Sequence, residues 1–398
     1  MAEKLPEKIE VQVSPGAQVW ERFRHDRLAV IGVSGVLFLM LMAICAPLIA
    51  NGRPLMLMRD GHLTFPFLRY LFAPDTIEVI VEKIFNFGLL YSIPALALAW
   101  FLRNRQGAMF KSLAVWAAVL AIPFLLVKPK MDKTDWREEC AGLKKGEFAI
   151  FAPVPYGPFE NCAEPHLKPN SRHYFGTDQV GRDVLSRMVY GARVSLAVGF
   201  LATGITMCIG ILIGLYCGYF GGKFDFIMMR IVEIIMCFPT FLLLLILMAI
   251  MMDRKYQQSI LLVIAVIGLT SWTGLSRIVR GETLQQRAMP YIKACESLGV
   301  SVWKILYRHL LPNITGPILV SFTFGIAGSI LAESGLSFLG FGVQAPTSSW
   351  GELLRQAFSD PLRYWHLTLW PGLAIFIAVV SFNFAGEGLH RAFDPKSE

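Results

Sequence analysis

The stretch PYIKACESLGVSVWKILYRHLLPN, residues 290–313, is a polar and basic segment between two strongly apolar runs. Pro290 can occupy the first turn of a helix, where its missing N–H leaves no hydrogen bond unmade. Gly299 can end that helix in the left-handed conformation that glycine tolerates. A second helical stretch over residues 302–311 is expected to stop at Pro312. The segment therefore predicts a helix, a sharp turn and a second helix at a membrane face, although an ordinary amphipathic hairpin at the membrane interface would show the same pattern.

The composition around this segment is that of a membrane protein. Of 398 residues, 55% are hydrophobic and 17% are charged, and the mean hydropathy is +0.52. Apolar runs of about 20 residues match the roughly 30 Å hydrocarbon layer of a bilayer. The net charge of +8 would indicate nucleic acid on a soluble protein, but here it is explained by lysines and arginines in cytoplasmic loops. No nucleic-acid partner is expected.

Eight apolar runs predict about eight membrane spans in an all-α polytopic protein. The basic sequence ERFRHDR precedes the first run and predicts a cytoplasmic N-terminus. Alternation of the spans then places the C-terminus and the basic segment 276–313 in the cytoplasm as well. The runs are residues 28–49, 84–102, 112–127, 194–219, 226–252, 260–275, 314–338 and 366–385.

The same runs divide the chain into four parts. Residues 1–27 form a cytoplasmic N-terminal segment, and residues 28–50 contain the first span. Residues 51–171 are interpreted as an insertion, with a membrane hairpin at 84–127 and an external loop at 128–171. Residues 172–398 form the core, with five spans and the loop 276–313. Proline interrupts both halves of the hairpin, so a hairpin that lies on or partly in the membrane is the alternative.

Two cysteines, Cys140 and Cys162, lie in the predicted external loop. Because that compartment is oxidising, they are candidates for a disulfide, and two unpaired thiols are the alternative. The seven histidines show no zinc spacing, so no metal site is predicted.

Short-range spacing predicts two further features. Gly210, Gly214 and Gly218 are four residues apart, so they lie on one helix face and allow a neighbouring helix to approach closely. Asp183 and Arg187 are also four apart and are expected to pair on a surface helix that leads into a span.

Residues 290–313, which we call the elbow, resemble the EAA loop of ABC importer permeases. Ala294, Gly299 and the pair Leu311 and Pro312 match the loop's pattern, whereas Lys293 and Cys295 replace its leading glutamate and second alanine. Other stretches are similar to the second, DppC/OppC-like permease of dipeptide and oligopeptide importers. These stretches are RHLLPN, FGTDQVGRDVLSRMVYGARVSL, LAESGLSFLGFGVQAPTSSWG, WERFRHDRLAVIG and GEGLHRAFDP. The resemblance covers residues 15–50 and 172–398 and does not cover 51–171.

The resemblance implies a type I ABC importer transmembrane domain with a MetI-like core, in the bacterial inner membrane. It implies as partners a second homologous permease, two ATPase subunits that bind ATP and Mg, an external solute-binding protein and membrane lipid. The short helix of the elbow would dock in a cleft of an ATPase subunit. The implied coupling residues are Tyr291, Ala294, Cys295, Glu296, Gly299, Arg308, His309, Leu311 and Pro312.

Glu333 lies inside the apolar run 314–338, and an acid at such a position usually faces a protein interior or an aqueous path. It is expected either to line the substrate route or to pair with an arginine of the partner permease. Ser334, Phe338 and Gly342 are assigned with it to the translocation path or gate.

The chain itself is not expected to be an enzyme. GYFGGK, residues 218–223, is too short for a phosphate-binding loop and lacks the Ser or Thr after lysine. ATP is therefore expected to be hydrolysed on other chains, and the resemblance implies that the transported solute is a peptide. Relatives with similar permease sequences carry nickel chelates, opines, glycosides or antibiotic peptides, and these remain alternatives. An ion-coupled carrier is a weaker alternative because it favours several intramembrane acids and inverted repeats.

Overall fold

A computed structural model describes residues 15–72, 79–101, 106–127, 134–144, 146–253 and 259–393. Parts of two predicted segments, residues 1–14 and 128–133, lie outside this range. The helices are α1 Pro15–His25, α2 Arg27–Ile44, α3 Ala46–Ile49, α4 Pro66–Phe72, α5 Val79–Phe101, α6 Gln106–Leu126, α7 Trp136–Ala141, α8 Val184–Phe220, α9 Gly222–Met236, α10 Thr240–Asp253, α11 Ile260–Thr270, α12 Trp272–Arg287, α13 Pro290–Ser297, α14 Val302–Lys304, α15 Leu311–Asn313, α16 Thr315–Phe338, α17 Trp350–Arg355 and α18 Trp365–Phe393. A π-helical turn, Ile305–Leu310, joins α14 to α15.

Five helical segments of the described chain are long and apolar enough to cross a membrane. They are α2, α8, the joined α11 and α12 over Ile260–Arg287, α16 and α18. The run over residues 226–252 is not one straight helix, because α9 and α10 meet at an angle of 82°. That it forms a single span stays a prediction. Pro239 lies in the break, and the residue before a proline is disfavoured in the helical conformation. If this bent pair counts as one span, the described chain has six.

The insertion forms a helical hairpin and a small sheet. Helices α5 and α6 contain 23 and 21 residues. They continue through Pro94 and Pro123, although these prolines were expected to interrupt them. The strands β1 Met56–Arg59, β2 His62–Thr64 and β3 Phe148–Ile150 form an antiparallel sheet in the order β2–β1–β3. That the hairpin crosses the membrane, which would raise the number of spans to eight, stays a prediction.

One fully buried guanidinium on α8 attaches the hairpin to the core, beside the apolar contacts that Val81 and Phe85 of α5 make with the core. Arg193 pairs with Glu82 of α5 and donates to Asn86 Oδ1 at 2.8 Å. It also donates to the carbonyl oxygens of Ala43 at 2.7 Å and Ile44 at 3.1 Å. Arg193 therefore joins the insertion, the end of α2 and the N-terminal half of α8 at one point.

The glycine face of α8 packs against α12, as predicted. A Cβ atom at Gly214 would lie 2.6 Å from Val279 Cβ, and one at Gly218 would lie 2.6 Å from Thr283 Cβ. Gly210 has the same relation to Leu275, at 2.9 Å from its Cδ2. The close contact of these two helices therefore requires the absence of side chains.

Alanine at Gly214 is expected to destabilise the protein, whereas alanine at Gly204 is not. Overpacking costs roughly 1–3 kcal/mol, because the helices must separate to admit the methyl group. Gly204 is on the same helix, but a Cβ atom placed there would have nothing within 4 Å. Thermal unfolding of the two purified variants measures the difference, and equal midpoints would show that the α8–α12 contact tolerates a side chain.

At the N-terminal end of α8, the predicted pair of Asp183 with Arg187 is wrong. Asp183 is the N-cap of α8, accepts from Ser186 N at 2.8 Å and pairs with His173 Nδ1 at 2.9 Å. The side chain of an N-cap residue accepts from backbone N–H groups of the first helical turn, so it is not oriented to pair with the side chain one turn ahead. Arg187 is fully buried, not on a surface helix, and pairs with Glu352 at 2.7 Å.

Cys140 and Cys162 are both free thiols, so the disulfide interpretation is not supported and the alternative of two thiols holds. The thiol of Cys162 donates to the carbonyl oxygen of Gly181 at 3.4 Å, which directs it into its own loop. Burial raises the pKa of Cys162 to about 11, so the thiol stays protonated at neutral pH and reacts slowly.

Candidate functional site

The first half of the elbow has the predicted helix and turn. Helix α13 begins at Pro290, and Gly299 follows its end with a φ of +71°. The N–H of Val300 donates to Cys295 O at 3.0 Å, and the N–H of Gly299 donates to Glu296 O at 3.0 Å. These two hydrogen bonds define a Schellman motif, which fixes the direction of the chain as it leaves α13.

The second half of the elbow differs from the prediction. Pro312 does not stop the helix, because it lies inside α15, directly after the π-helical turn Ile305–Leu310. A proline has no N–H to donate and its ring crowds the carbonyl one α-turn earlier. The wider π turn is a way to accommodate it within continuous helix, and such turns are frequent at functional sites. The chain instead changes direction at Ile314, just before α16.

One side of the elbow is an apolar surface that is buried against the spans. Ile292, Ile305, Leu306 and Leu310 are at most 1% exposed. They share one hydrophobic cluster with side chains of α8, α12 and α16, namely Leu215, Tyr219, Leu275, Val279 and Ile318. Burial of each large aliphatic side chain contributes about 1.5–3 kcal/mol. The elbow therefore packs against three spans and forms one hydrophobic cluster with them.

Hydrogen bonds reinforce this mounting. Tyr219 of α8 donates its hydroxyl to Glu296 Oε1 at 3.0 Å. Tyr291 donates to Gln286 Oε1 at 2.9 Å and accepts from Asn313 Nδ2 at 3.2 Å. Partial burial raises the pKa of Tyr291, which keeps its hydroxyl a donor. Glu296 and Tyr291, both predicted coupling residues, thus form hydrogen bonds that stabilise the position of the elbow.

The opposite side of the elbow exposes large apolar side chains. Leu298 is 82% exposed, Trp303 61% and Tyr307 41%, and the rings of Trp303 and Tyr307 stack 5.8 Å apart. We call these three residues the elbow patch. Ala294 and Gly299 are exposed beside it. An exposed apolar cluster of this kind marks a contact surface for another protein or for the membrane.

Sequence reasoning did not assign the three patch residues to the coupling contact. It grouped Leu298 with Ile292 and Cys295 as one apolar helix face, whereas the structure exposes Leu298. Of the other predicted coupling residues, the structure exposes two and half-buries three. Arg308 and Pro312 are exposed, and Cys295, His309 and Leu311 are half-buried.

Glu333 is fully buried inside its own chain. Its carboxylate accepts from the hydroxyls of Ser337 at 2.7 Å, Ser195 at 3.2 Å and Ser334 at 3.4 Å. The carboxylate is therefore enclosed by its own chain in this conformation. Its assignment to the substrate route, or to a pair with the partner permease, stays a prediction. The three serines supply the hydrogen bonds that a buried carboxyl group requires.

The other residues assigned to the path are divided between two environments. Ser334 is buried with Glu333, and Gly342 packs on Ser337, whose Oγ would lie 2.3 Å from a Cβ there. Phe338 borders a cavity at the C-terminal end of α16. That these residues line the translocation path or gate stays a prediction.

A cavity that sequence reasoning missed lies in the middle of the spans. It has a volume of about 450 Å³ and lies between α8, α10, α11, α12 and α16. No charged side chain is among the described residues that line it. The lining hydroxyl groups belong to Thr203, Thr206, Thr240, Ser271, Ser321 and Ser329. Hydroxyls both donate and accept, so the cavity can hydrogen-bond polar groups of either kind.

Within the described ranges, no group of three or more His, Cys, Asp or Glu residues is arranged to hold a metal ion.

Comparison with known proteins gives matches at both ends of the chain. Residues 210–398 match the family described as "Binding-protein-dependent transport system inner membrane component". Residues 14–60 match "N-terminal TM domain of oligopeptide transport permease C".

Three similar proteins are matched by this chain over most of their own length. The dipeptide transport system permease protein DppC of Bacillus subtilis is 37% identical over 289 residues, which are 68% of this chain and 88% of the relative. The glutathione transport system permease protein GsiD of Pectobacterium atrosepticum is 40% identical over 228 residues, which are 57% of this chain and 74% of the relative. GsiD of Escherichia coli O6:K15:H31 is 36% identical over 298 residues, which are 70% of this chain and 96% of the relative.

Proposed function

Because this chain belongs to the family of binding-protein-dependent transport system inner membrane components, we propose that it is a permease subunit that moves peptides across the inner membrane. It is a subunit of an ABC importer and not an enzyme, and ATP is hydrolysed on separate subunits. The relatives are named for dipeptide and glutathione transport, which favours peptides over nickel chelates, opines or glycosides.

The observation that carries the mechanism is the elbow itself. Its inner side is packed on α8, α12 and α16, and its outer side exposes the elbow patch. A force applied to the patch cannot be absorbed locally without opening the cluster around Ile292 and Ile305. The three spans therefore move with the elbow when an ATPase subunit closes and pulls on it.

The mid-span cavity is this chain's share of the translocation path. Its neutral, hydroxyl-rich lining can hydrogen-bond the amide groups that all peptides share and does not select for side-chain charge. A second, homologous permease supplies the facing half. The N- and C-termini lie in the cytoplasm, which agrees with the basic residues around the elbow. An external binding protein delivers the peptide from the other side.

Leucine at Gly328 is expected to block transport without disturbing the fold. Gly328 borders the cavity, and nothing lies within 4 Å of a Cβ placed there. A side chain filling the cavity should lower the maximal uptake rate by about tenfold or more, since a barrier increase of about 1.4 kcal/mol suffices. The assay is peptide uptake into proteoliposomes that contain both permeases and the ATPases, driven by ATP and the binding protein.

Gly372→Leu is the matched control, because its Cβ also meets open space but it lies on α18, away from the cavity. We expect this variant to transport normally. If Gly328→Leu also transported normally, the cavity would not be the path, and if the wild-type assembly moved no peptide, the proposed function itself would be wrong.

A further inference from the structure

A second cavity, of about 500 Å³, lies at the outer ends of α16 and α17. Unlike the mid-span cavity, it is bordered by charged groups, by amides and by the rings of Phe338 and Phe358, which meet edge to face at 5.3 Å. The cavity lies above Glu333 and next to the buried pair of Arg187 with Glu352. Because α16 runs from the elbow to this cavity, the cavity lies on the outer side of the membrane when the elbow is cytoplasmic, as proposed.

The two charged residues that border the cavity differ in their partners. Glu352 is neutralised, because its carboxylate accepts from Arg187 at 2.7 Å and from Gln356 Nε2 at 2.8 Å. Arg355 is exposed and donates one N–H to Gln344 Oε1 at 2.9 Å. Among the residues that the structure describes, no carboxylate lies within ion-pair distance of Arg355. The cavity thus has one guanidinium charge without a counter-charge.

The loop after α16 holds this guanidinium in position. Gly340 has a φ of +87°, and a Cβ there would lie 3.1 Å from Arg355 Cζ, so the guanidinium packs directly on its backbone. Gln344 completes the support by donating to Gly340 O at 2.7 Å while it accepts from Arg355. A preorganised cation at the rim of a cavity loses little side-chain entropy when it binds an anion.

The planar guanidinium matches a carboxylate, with which it forms two parallel hydrogen bonds. The adjacent rings of Phe338 and Phe358 offer an apolar surface of the size of one side chain. Resting on the proposed function, we propose that this cavity binds the C-terminal residue of an incoming peptide, with Arg355 holding its α-carboxylate. The mid-span cavity, which lacks charge, then receives the peptide without holding it, so the chain recognises the peptide terminus only at the entrance.

The test compares trialanine with trialanine amide, which lacks the carboxylate charge. Equilibrium binding of each radiolabelled peptide to the purified permease–ATPase assembly, without binding protein, isolates the contribution of the permease. We expect the wild type to prefer the free acid and Arg355→Gln to bind it about ten- to a hundredfold more weakly, as for loss of a hydrogen bond between charged groups. Binding of the amide should not change, and Arg355→Lys should keep part of the preference.

Three results would overturn the proposal: no binding of trialanine to the wild-type assembly, equal binding of acid and amide, or an equal loss of both in Arg355→Gln. The last would mean that Arg355 only supports the loop. The proposed function is judged separately, by uptake in the complete importer with its binding protein. Uptake without a preference for the free acid would leave that function intact and remove only the assignment of Arg355.

Discussion

Aspartate in place of Leu298 is expected to abolish uptake while the amount of the chain in the membrane stays normal. Leu298 is 82% exposed, so the folded chain loses little when it is replaced, and surface substitutions usually change stability by less than about 0.5 kcal/mol. In the assembled importer the same side chain would be covered by an ATPase subunit. A carboxylate buried there without a partner costs at least several kcal/mol, which is enough to release the elbow.

The measurements are peptide uptake, the ATPase rate stimulated by the binding protein, and the quantity of chain in membranes. Leu298→Met is the control, because it keeps an apolar side chain of similar volume and should transport normally. Normal uptake in Leu298→Asp would show that the elbow patch does not contact the ATPase.

Methionine in place of Arg193 is expected to have the largest effect on stability. It removes the partner of Glu82 and leaves that carboxylate buried, together with the carbonyl groups at the end of α2. Breaking a buried ion pair by removing one member costs about 3–5 kcal/mol. Since the same guanidinium joins the insertion to the core, the hairpin should lose its attachment to α8.

Thermal unfolding of the purified protein and limited proteolysis of the hairpin measure this effect. The double variant Arg193→Met with Glu82→Gln should recover part of the loss, because no unpaired charge then remains buried. If Arg193→Met unfolded at the wild-type temperature, the attachment of the insertion would depend on other contacts.

Local chemistry explains which features the sequence could predict. Pro290 and Gly299 act through their own backbone preferences, so the helix and the turn of the elbow followed from neighbouring residues. The glycines of α8 were predictable for a similar reason, since their spacing alone places them on one face. The family resemblance then supplied the function, and the comparisons support it.

The features that the sequence did not reveal depend on residues far apart in the chain. Arg193 meets Glu82 across 111 positions, and Ser195 meets Glu333 across 138. No local pattern pairs such residues, so Glu333 was assigned to a path although serines of its own chain enclose it. The same holds for Arg187, whose partner Glu352 is 165 positions away and not the nearby Asp183.

The elbow patch was missed for a different reason. An apolar residue in an amphipathic helix is normally interpreted as part of the buried face, and the elbow has enough such residues to fill that face without Leu298, Trp303 and Tyr307. Only the structure shows which apolar residues remain outside the cluster around Ile292. Their exposure is the observation on which the proposed contact surface rests.

Crosslinking from the elbow patch tests this account most directly. In the assembled importer, a cysteine at Leu298 should crosslink to an ATPase subunit, whereas a cysteine at Leu362, which is 89% exposed beyond the outer end of α17, should not. A product that contains this chain and an ATPase subunit, formed only from position 298, is the predicted result. If Leu298→Cys yields no such product, or if Leu362→Cys yields it equally, the ATPase does not dock on the elbow.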